Sequence, residues 1–85
     1  MELTRHASLR TQQRGIPPMV IELLLDYGSE RSAGEGTTSF FFDKAARRRI
    51  KSYVGGLMAA VSKYLNCYAI VCKDGKIITV AYRNN

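Results

Sequence analysis

The only histidine of the chain, His6, lies near the N-terminus, and arginines follow it at positions 10 and 14. In a helix, side chains at i, i+4 and i+8 lie on one face, so His6, Arg10 and Arg14 would form a ladder. Histidine exchanges a proton near neutral pH, and arginine is a permanent cation that binds phosphate. Metal-independent RNA cleavage needs both proton transfer and stabilisation of negative charge. The ladder therefore predicts His6 as general acid or base, with Arg10 and Arg14 holding phosphate.

The same ladder has a simpler interpretation. In that case His6 caps or packs against the start of a helix, and Arg10 and Arg14 are exposed to solvent. Both interpretations stay open at the level of sequence. If the catalytic one holds, Arg83 belongs to the same set, because a C-terminal strand beside the first helix could present it to the same cleft.

A second cationic feature is the segment of residues 44–51, which carries five positive side chains and no negative one: Lys44, Arg47, Arg48, Arg49 and Lys51. The whole chain has a formal net charge of +6 and an isoelectric point near 9.7. Such a charge favours polyanions, namely nucleic acid, an acidic protein or an anionic membrane surface. Dense lysine and arginine surfaces hold backbone phosphates, so we predict that these five residues bind nucleic acid. The alternative is a solvated helical face.

Length and composition indicate one globular domain over residues 1–85, since 46% of the residues are hydrophobic and 24% are charged. No apolar run approaches the roughly 20 residues that a membrane span needs. The N-terminal residues lack the apolar segment of a secretory signal, so we expect a cytoplasmic protein without a membrane partner.

The residues that commonly hold metals or cofactors are sparse. One histidine and two cysteines have no metal-ligand spacing, and Gly34 and Gly36 do not make a phosphate-binding loop. We therefore expect no metal and no cofactor. Cys67 and Cys72 have an odd separation in a predicted strand, which places them on opposite faces and argues against a disulfide.

Two helices are predicted in the N-terminal part. The first begins at the N-cap Thr4 and runs to about Arg14, with Gly15 as its stop. The second runs from about Pro18 to Tyr27 and is apolar on nearly every side, so we expect it to be the central packing element.

A strand over residues 37–42 follows, with a further short strand possible over residues 29–32. Its three phenylalanines, at positions 40–42, are expected in the core. A long third helix is predicted from the N-cap Asp43 to about Leu65, because apolar residues recur at helical spacing at Ile50, Val54, Leu57, Val61 and Leu65. The pair Gly55-Gly56 within it indicates close approach of another backbone, a kink or a break.

The C-terminal part predicts a β-hairpin, since β-rich runs over residues 67–72 and 77–83 flank an Asp-Gly turn. The predicted order is α-α-β-(β)-α-β-β. This order indicates an α+β fold in which the helices pack on one face of a small antiparallel sheet. Tyr53, Tyr64, Tyr68 and Tyr82 would be half-buried aromatics or, alternatively, platforms for stacking bases.

Both ends of the chain resemble a family of small bacterial domains of unknown function. The opening motif is His6-Ala7-x-x-Arg10-x-x-Gln13-Arg14-Gly15-Ile16, and the closing motif is Asp74-Gly75-x-Ile77-Ile78-Thr79-Val80-x-Tyr82-Arg83. That family is often placed near the RelE- and BrnT-like toxins, in the broad barnase/RelE-type ribonuclease fold group. The resemblance implies a toxin-type ribonuclease that an antitoxin partner silences.

Two hypotheses follow from the sequence. The first is a small metal-independent endoribonuclease of toxin type that binds RNA. The second is a non-catalytic basic module that binds nucleic acid or inhibits a nucleic-acid-binding protein partner. Substitution of His6 by alanine separates them, since only an enzyme would lose turnover with binding intact.

Overall fold

The structure, a computed structural model, describes residues 1–83 and has the predicted α+β fold. The helices are α1 (Arg5–Gln13), α2 (Pro18–Tyr27), α3 (Lys44–Val54) and the single turn α4 (Met58–Val61), with 3₁₀ turns over Gly55–Leu57 and Ser62–Tyr64. The strands are β1 (Ser29–Gly34), β2 (Thr37–Phe41), β3 (Cys67–Val71) and β4 (Ile77–Tyr82). The additional strand of the predicted order is therefore present as β1.

The four strands form one antiparallel sheet in the order β1-β2-β3-β4, so each strand lies beside its neighbour in sequence. The predicted Asp-Gly hairpin joins β3 to β4, and Gly75 adopts a positive φ of 91° in its turn. Helix α3 and the turns after it make the long connection between the two central strands, β2 and β3. No helix within residues 1–83 is long and apolar enough to cross a membrane.

The core lies between one face of the sheet and helices α2 and α3. Helix α2 contributes Ile21 and Leu24, and α3 contributes Ile50, all almost completely buried. They pack in one cluster with Ala69 of β3 and Val80 of β4. The prediction that the second helix is the central packing element is confirmed.

Helix α1 lies along the outermost strand β4. The backbone N–H of Thr4 donates to the carbonyl of Ile77 at 2.9 Å, and the N–H of Ile77 donates to the carbonyl of Glu2 at 2.8 Å. The Thr4 hydroxyl caps the helix by accepting from the N–H of Ala7 at 3.2 Å. Gly15, with φ of 64°, follows the helix as predicted. The start of α1 is thereby fixed beside the start of β4.

The predicted single helix from Asp43 to Leu65 is wrong, because α3 ends at Val54. Gly55 has φ of 54°, which takes the chain out of the helix, and a methyl group at Gly55 or Gly56 would meet no atom within 4 Å. Of the alternatives for the glycine pair, the structure therefore shows a break without close packing of another backbone. Beyond the break, Leu57 is 67% exposed, although the apolar stripe placed it in the core.

The two cysteines are unpaired thiols, as predicted. Cys67 is buried, and burial raises the pKa of its thiol to about 11. A thiol with such a pKa is protonated at neutral pH and is a poor nucleophile. Cys72 lies beside the hairpin turn, where its sulfur donates to Oδ1 of Asp74 at 2.6 Å.

Candidate nucleic-acid interface

His6 and Arg10 of the predicted ladder lie on α1 and Arg14 is its C-cap residue, but the three side chains have different surroundings. His6 is exposed, whereas Arg10 and Arg14 are half-buried. The guanidinium of Arg14 donates to the backbone carbonyl of Val80 at 2.7 Å and so ties the end of α1 to β4. A charged donor on a backbone carbonyl is a strong structural contact. Arg14 therefore fastens the helix to the sheet.

Arg83 is distant from His6. The start of α1 is hydrogen-bonded to Ile77, where β4 begins, and Arg83 follows the end of the same strand. The extended chain between Ile77 and Arg83 spans roughly 20 Å. The concave surface beside α1 is lined by Leu3, Arg5, Ser8, Leu9 and Gln12, which include no member of the ladder. The structure does not bring His6 and Arg83 together.

Two members of the predicted cationic segment hold the fold together. Arg47 donates to the carbonyl of Phe42 at 3.2 Å and to that of Leu65 at 3.1 Å. It thereby links the segment just before α3 to the segment just before β3. Arg49 donates twice to the carbonyl of Tyr27, at 3.2 and 2.8 Å. Carbonyls in the last turn of a helix lack hydrogen-bond donors within the helix, and Arg49 supplies a donor to the last carbonyl of α2.

The other three cations of the segment are Lys44, Arg48 and Lys51, which are exposed like Arg47 and Arg49. Their spacing of four and three residues places them on one face of α3. Ala46 and Ile50 of the same helix are buried in the core against the sheet. Lys44, Arg48 and Lys51 therefore point away from the sheet.

The face of β1, β2 and β3 turned away from α2 and α3 carries two neighbouring aromatic side chains. Phe41 of β2 and Tyr68 of β3 are register partners, and both are half-buried. Directly opposed residues of an antiparallel pair have Cβ atoms about 5 Å apart and share one face. Ala69, the neighbour of Tyr68, is completely buried in the core, which fixes the opposite orientation for Tyr68.

Two arginines lie over the Phe41 ring of this pair. The guanidinium carbon of Arg31, on β1, lies 5.0 Å from the centroid of the Phe41 ring, and that of Arg83 lies 5.5 Å from the same centroid. A shallow cavity of about 330 Å³ is lined here by Arg31, Ser39, Phe41, Tyr68 and Arg83, which we call the arginine–aromatic cavity. None of these described lining residues is acidic. Guanidinium groups within about 6 Å of a ring face are held by cation–π attraction.

The position of Arg83 is set by its backbone. Its N–H donates to the carbonyl of Asn66 at 2.7 Å, and the side-chain amide of Asn66 donates back to the carbonyl of Arg83 at 2.9 Å. These reciprocal bonds continue the pairing of β3 with β4 by one residue. Arg83 is thus a predicted site residue that lies in a cavity, but with different neighbours from those expected.

The sequence reasoning missed Arg31, Ser39 and Phe41. All three phenylalanines at positions 40–42 were expected in the core, and that prediction is wrong for Phe41, which lines the cavity. Phe42 is buried, and Phe40 packs partly buried against the core. The sequence itself indicates that one of the three phenylalanines faces away from the core, since side chains alternate along a strand and three consecutive residues cannot share one face.

Comparisons of the chain with models of protein families, with curated proteins and with solved structures found no match. The resemblance to a family of small bacterial domains therefore stays an expectation from the opening and closing sequence motifs. Within residues 1–83, no group of three or more histidine, cysteine, aspartate or glutamate side chains is placed to hold a metal ion.

Proposed function

We propose that the protein binds single-stranded nucleic acid across the face of β1, β2 and β3 that carries the arginine–aromatic cavity. The observation that supports this most directly is the pairing of Phe41 with Tyr68, together with the guanidinium groups of Arg31 and Arg83 over the Phe41 ring. Bases stack on aromatic rings and on guanidinium planes, while arginine also binds the phosphates between them. One surface thus offers partners for both parts of a nucleotide.

A single strand fits this surface better than a duplex does. In a duplex the bases are stacked on each other, and their faces are not available to protein side chains. An unpaired strand can place a base against the Tyr68 ring and against the guanidinium planes that lie over the Phe41 ring. Stacking of this kind contributes about 1–3 kcal/mol per base and tolerates any sequence.

The charge of the surface favours the backbone of such a strand. Arg31 and Arg83 are both exposed, and the described residues lining their cavity bring no carboxylate to neutralise them. The net charge of +6 adds a long-range attraction for polyanions. Each phosphate bound releases counterions, which makes binding salt-dependent.

Cleavage of the bound strand stays a prediction from the sequence alone. General acid or base catalysis needs the proton-transferring group within hydrogen-bond reach of the reacting atoms. His6 is near the start of β4, whereas the arginine–aromatic cavity includes Arg83 beyond its end. The geometry therefore supports the non-catalytic binding module over the ribonuclease.

The test compares labelled oligonucleotides of about 12 nucleotides, a length that a small domain can cover. Fluorescence anisotropy would give dissociation constants for single-stranded RNA, single-stranded DNA and duplex RNA. We expect both single strands to bind at least tenfold more tightly than the duplex. A difference between RNA and DNA would show whether the 2′-hydroxyl contributes.

Two double variants with the same change in charge then locate the surface. Arg31→Gln/Arg83→Gln removes both cations of the cavity, and Lys44→Gln/Lys51→Gln removes two from α3. We expect the first to weaken binding by about tenfold or more and to lower the salt slope by roughly 0.7 per lost phosphate contact. A larger loss in the α3 variant, or preference for the duplex, would overturn the proposal and favour α3 as the binding surface.

A further inference from the structure

A groove between α2 and the end of α3 exposes several large apolar side chains. It has a volume of about 270 Å³, and the side chains along it include Met19, Glu22, Asp26, Tyr27, Tyr53 and Leu57. Tyr53 is 68% exposed, Leu57 67% and Met19 50%, so three large hydrophobic side chains that face solvent meet at this one place. Contiguous apolar surface of this kind marks interaction sites.

The break after α3 creates one wall of the groove. Had the helix continued, Leu57 would follow Val54 on the core-facing stripe. Gly55, with its positive φ of 54°, turns the chain so that Leu57 points outward. No packing of another backbone requires the glycine pair, because the space around both residues is open. The exposure of Leu57 is therefore a consequence of the break.

The opposite wall is acidic. Glu22 and Asp26 are exposed one turn apart on α2, and none of the described residues lining the groove is cationic. This local charge is opposite in sign to the +6 of the whole chain. The rings of Tyr27 and Tyr53 have centroids 4.9 Å apart, and both side chains line the groove.

We propose that this groove binds a short amphipathic helical segment of a partner protein that carries lysine or arginine beside its apolar face. Apolar residues at i and i+4 of such a segment would cover Tyr53 and Leu57, and its cations would meet Glu22 and Asp26. Grooves bind amphipathic helices through anchors at this spacing, and opposite charges fix their register. The site is separate from the arginine–aromatic cavity and does not depend on the proposed function.

The experiment selects binders from a displayed library of random peptides of about 16 residues, roughly 24 Å long when helical. The full-length protein is the target. We expect the enriched peptides to carry lysine or arginine together with apolar residues at helical spacing. Their affinities are then measured by fluorescence anisotropy against variants of the groove.

Leu57→Ser and Tyr53→Ser remove apolar surface at positions that are already mostly exposed, so the fold should tolerate them. Leu9→Ser is the matched control, since Leu9 is 53% exposed on α1, outside the groove. We expect about tenfold or greater loss of peptide binding for the groove variants and none for the control. Glu22→Gln/Asp26→Asn should weaken binding less and reduce its salt dependence.

Three results would overturn the proposal: no enriched peptide, enriched peptides that are acidic, or peptides whose binding the groove variants leave unchanged. Light scattering on the purified wild type and on Leu57→Ser measures the oligomeric state of each and gives a further test. A wild-type dimer that Leu57→Ser converts to a monomer would also overturn the proposal, because the occupant of the groove would then be a second copy of this chain.

Discussion

Phe41 and Tyr68 face each other across the two central strands, on the side of the sheet away from the core. The two residues belong to different hairpins, since β2 pairs with β1 and β3 pairs with β4. The aromatic pair therefore exists only when the two hairpins join. Helix α3 and the turns after it, which connect β2 to β3, thus position the site although they contribute no side chain to the cavity.

Replacement of either ring by an aliphatic side chain should weaken binding of a single strand. Phe41→Leu and Tyr68→Leu retain apolar bulk but remove the stacking surface, so we expect a loss of about 1–3 kcal/mol each. The salt slope should fall less than in Arg31→Gln/Arg83→Gln, because both guanidinium groups are still present. Titrations at about 50 mM and 200 mM salt would measure both quantities.

The matched control for this pair is Tyr53→Leu. Tyr53 is an exposed aromatic residue on α3, outside the arginine–aromatic cavity. It should leave oligonucleotide binding unchanged. If Tyr53→Leu and Phe41→Leu lowered the affinity for the oligonucleotide equally, the Phe41–Tyr68 pair would not be the surface on which bases stack.

Except for the long third helix, the sequence predicted the elements well, because their signals are local. Thr4 and Asp43 cap helices, and both do so in the structure through their side-chain oxygens. The turn at Gly75 follows from the same kind of local preference. Capping and turn residues determine the backbone conformation of their immediate neighbours. They can therefore be recognised in a single sequence.

The candidate site was harder to predict because it depends on pairing between distant segments. Arg31 and Arg83 approach one ring only after β1, β2 and β3 have aligned. Likewise, nothing local to Arg14 shows that its guanidinium is committed to the carbonyl of Val80. The apolar stripe also misplaced Leu57, since periodicity cannot register that Gly55 ends the helix.

Purified protein should bind mixed cellular RNA in EDTA without cleaving it, because His6 and Arg83 lie at opposite ends of β4. His6→Ala should then bind RNA as the wild type does. Gel analysis and end-group mapping would check this. Cleavage with cyclic-phosphate ends that His6→Ala abolishes would instead establish the predicted metal-independent ribonuclease.

The capping carboxylate of Asp43 should make stability fall in acid. The N–H of Ala46 donates to Oδ1 at 2.8 Å, and this bond is the main cause that lowers the pKa of Asp43, with the Ser29 hydroxyl next. A lowered pKa in the folded state means that the contribution is complete above the unfolded pKa of about 3.9. It is lost as pH falls through the lower, folded value.

Asp43→Asn isolates this charge, since asparagine also caps helices but does not titrate. Urea midpoints measured across the acid range should show the wild type more stable at neutral pH. The difference from Asp43→Asn should shrink as pH drops below about 4. A constant difference at every pH would show that the charge of Asp43 contributes nothing.

Gly28 should be the glycine that tolerates substitution least. It joins α2 to β1, and a β-carbon there would overlap the carbonyl oxygen of Leu24 and press against that of Phe41 at 3.2 Å. Both are backbone atoms, so neither can move without disturbing the end of α2 or β2. We expect Gly28→Ala to lower the free energy of unfolding by about 1–3 kcal/mol, as overpacking does.

Gly56→Ala is the control, because a methyl group at this position meets open space. The added side chain also restricts the unfolded chain, so Gly56→Ala should be neutral or stabilise the protein by about 0.4–1 kcal/mol. Urea unfolding followed by circular dichroism would give the free energy of unfolding of both variants. If Gly28→Ala were the more stable of the two, the backbone atoms around Gly28 would not be packed as tightly as the structure indicates.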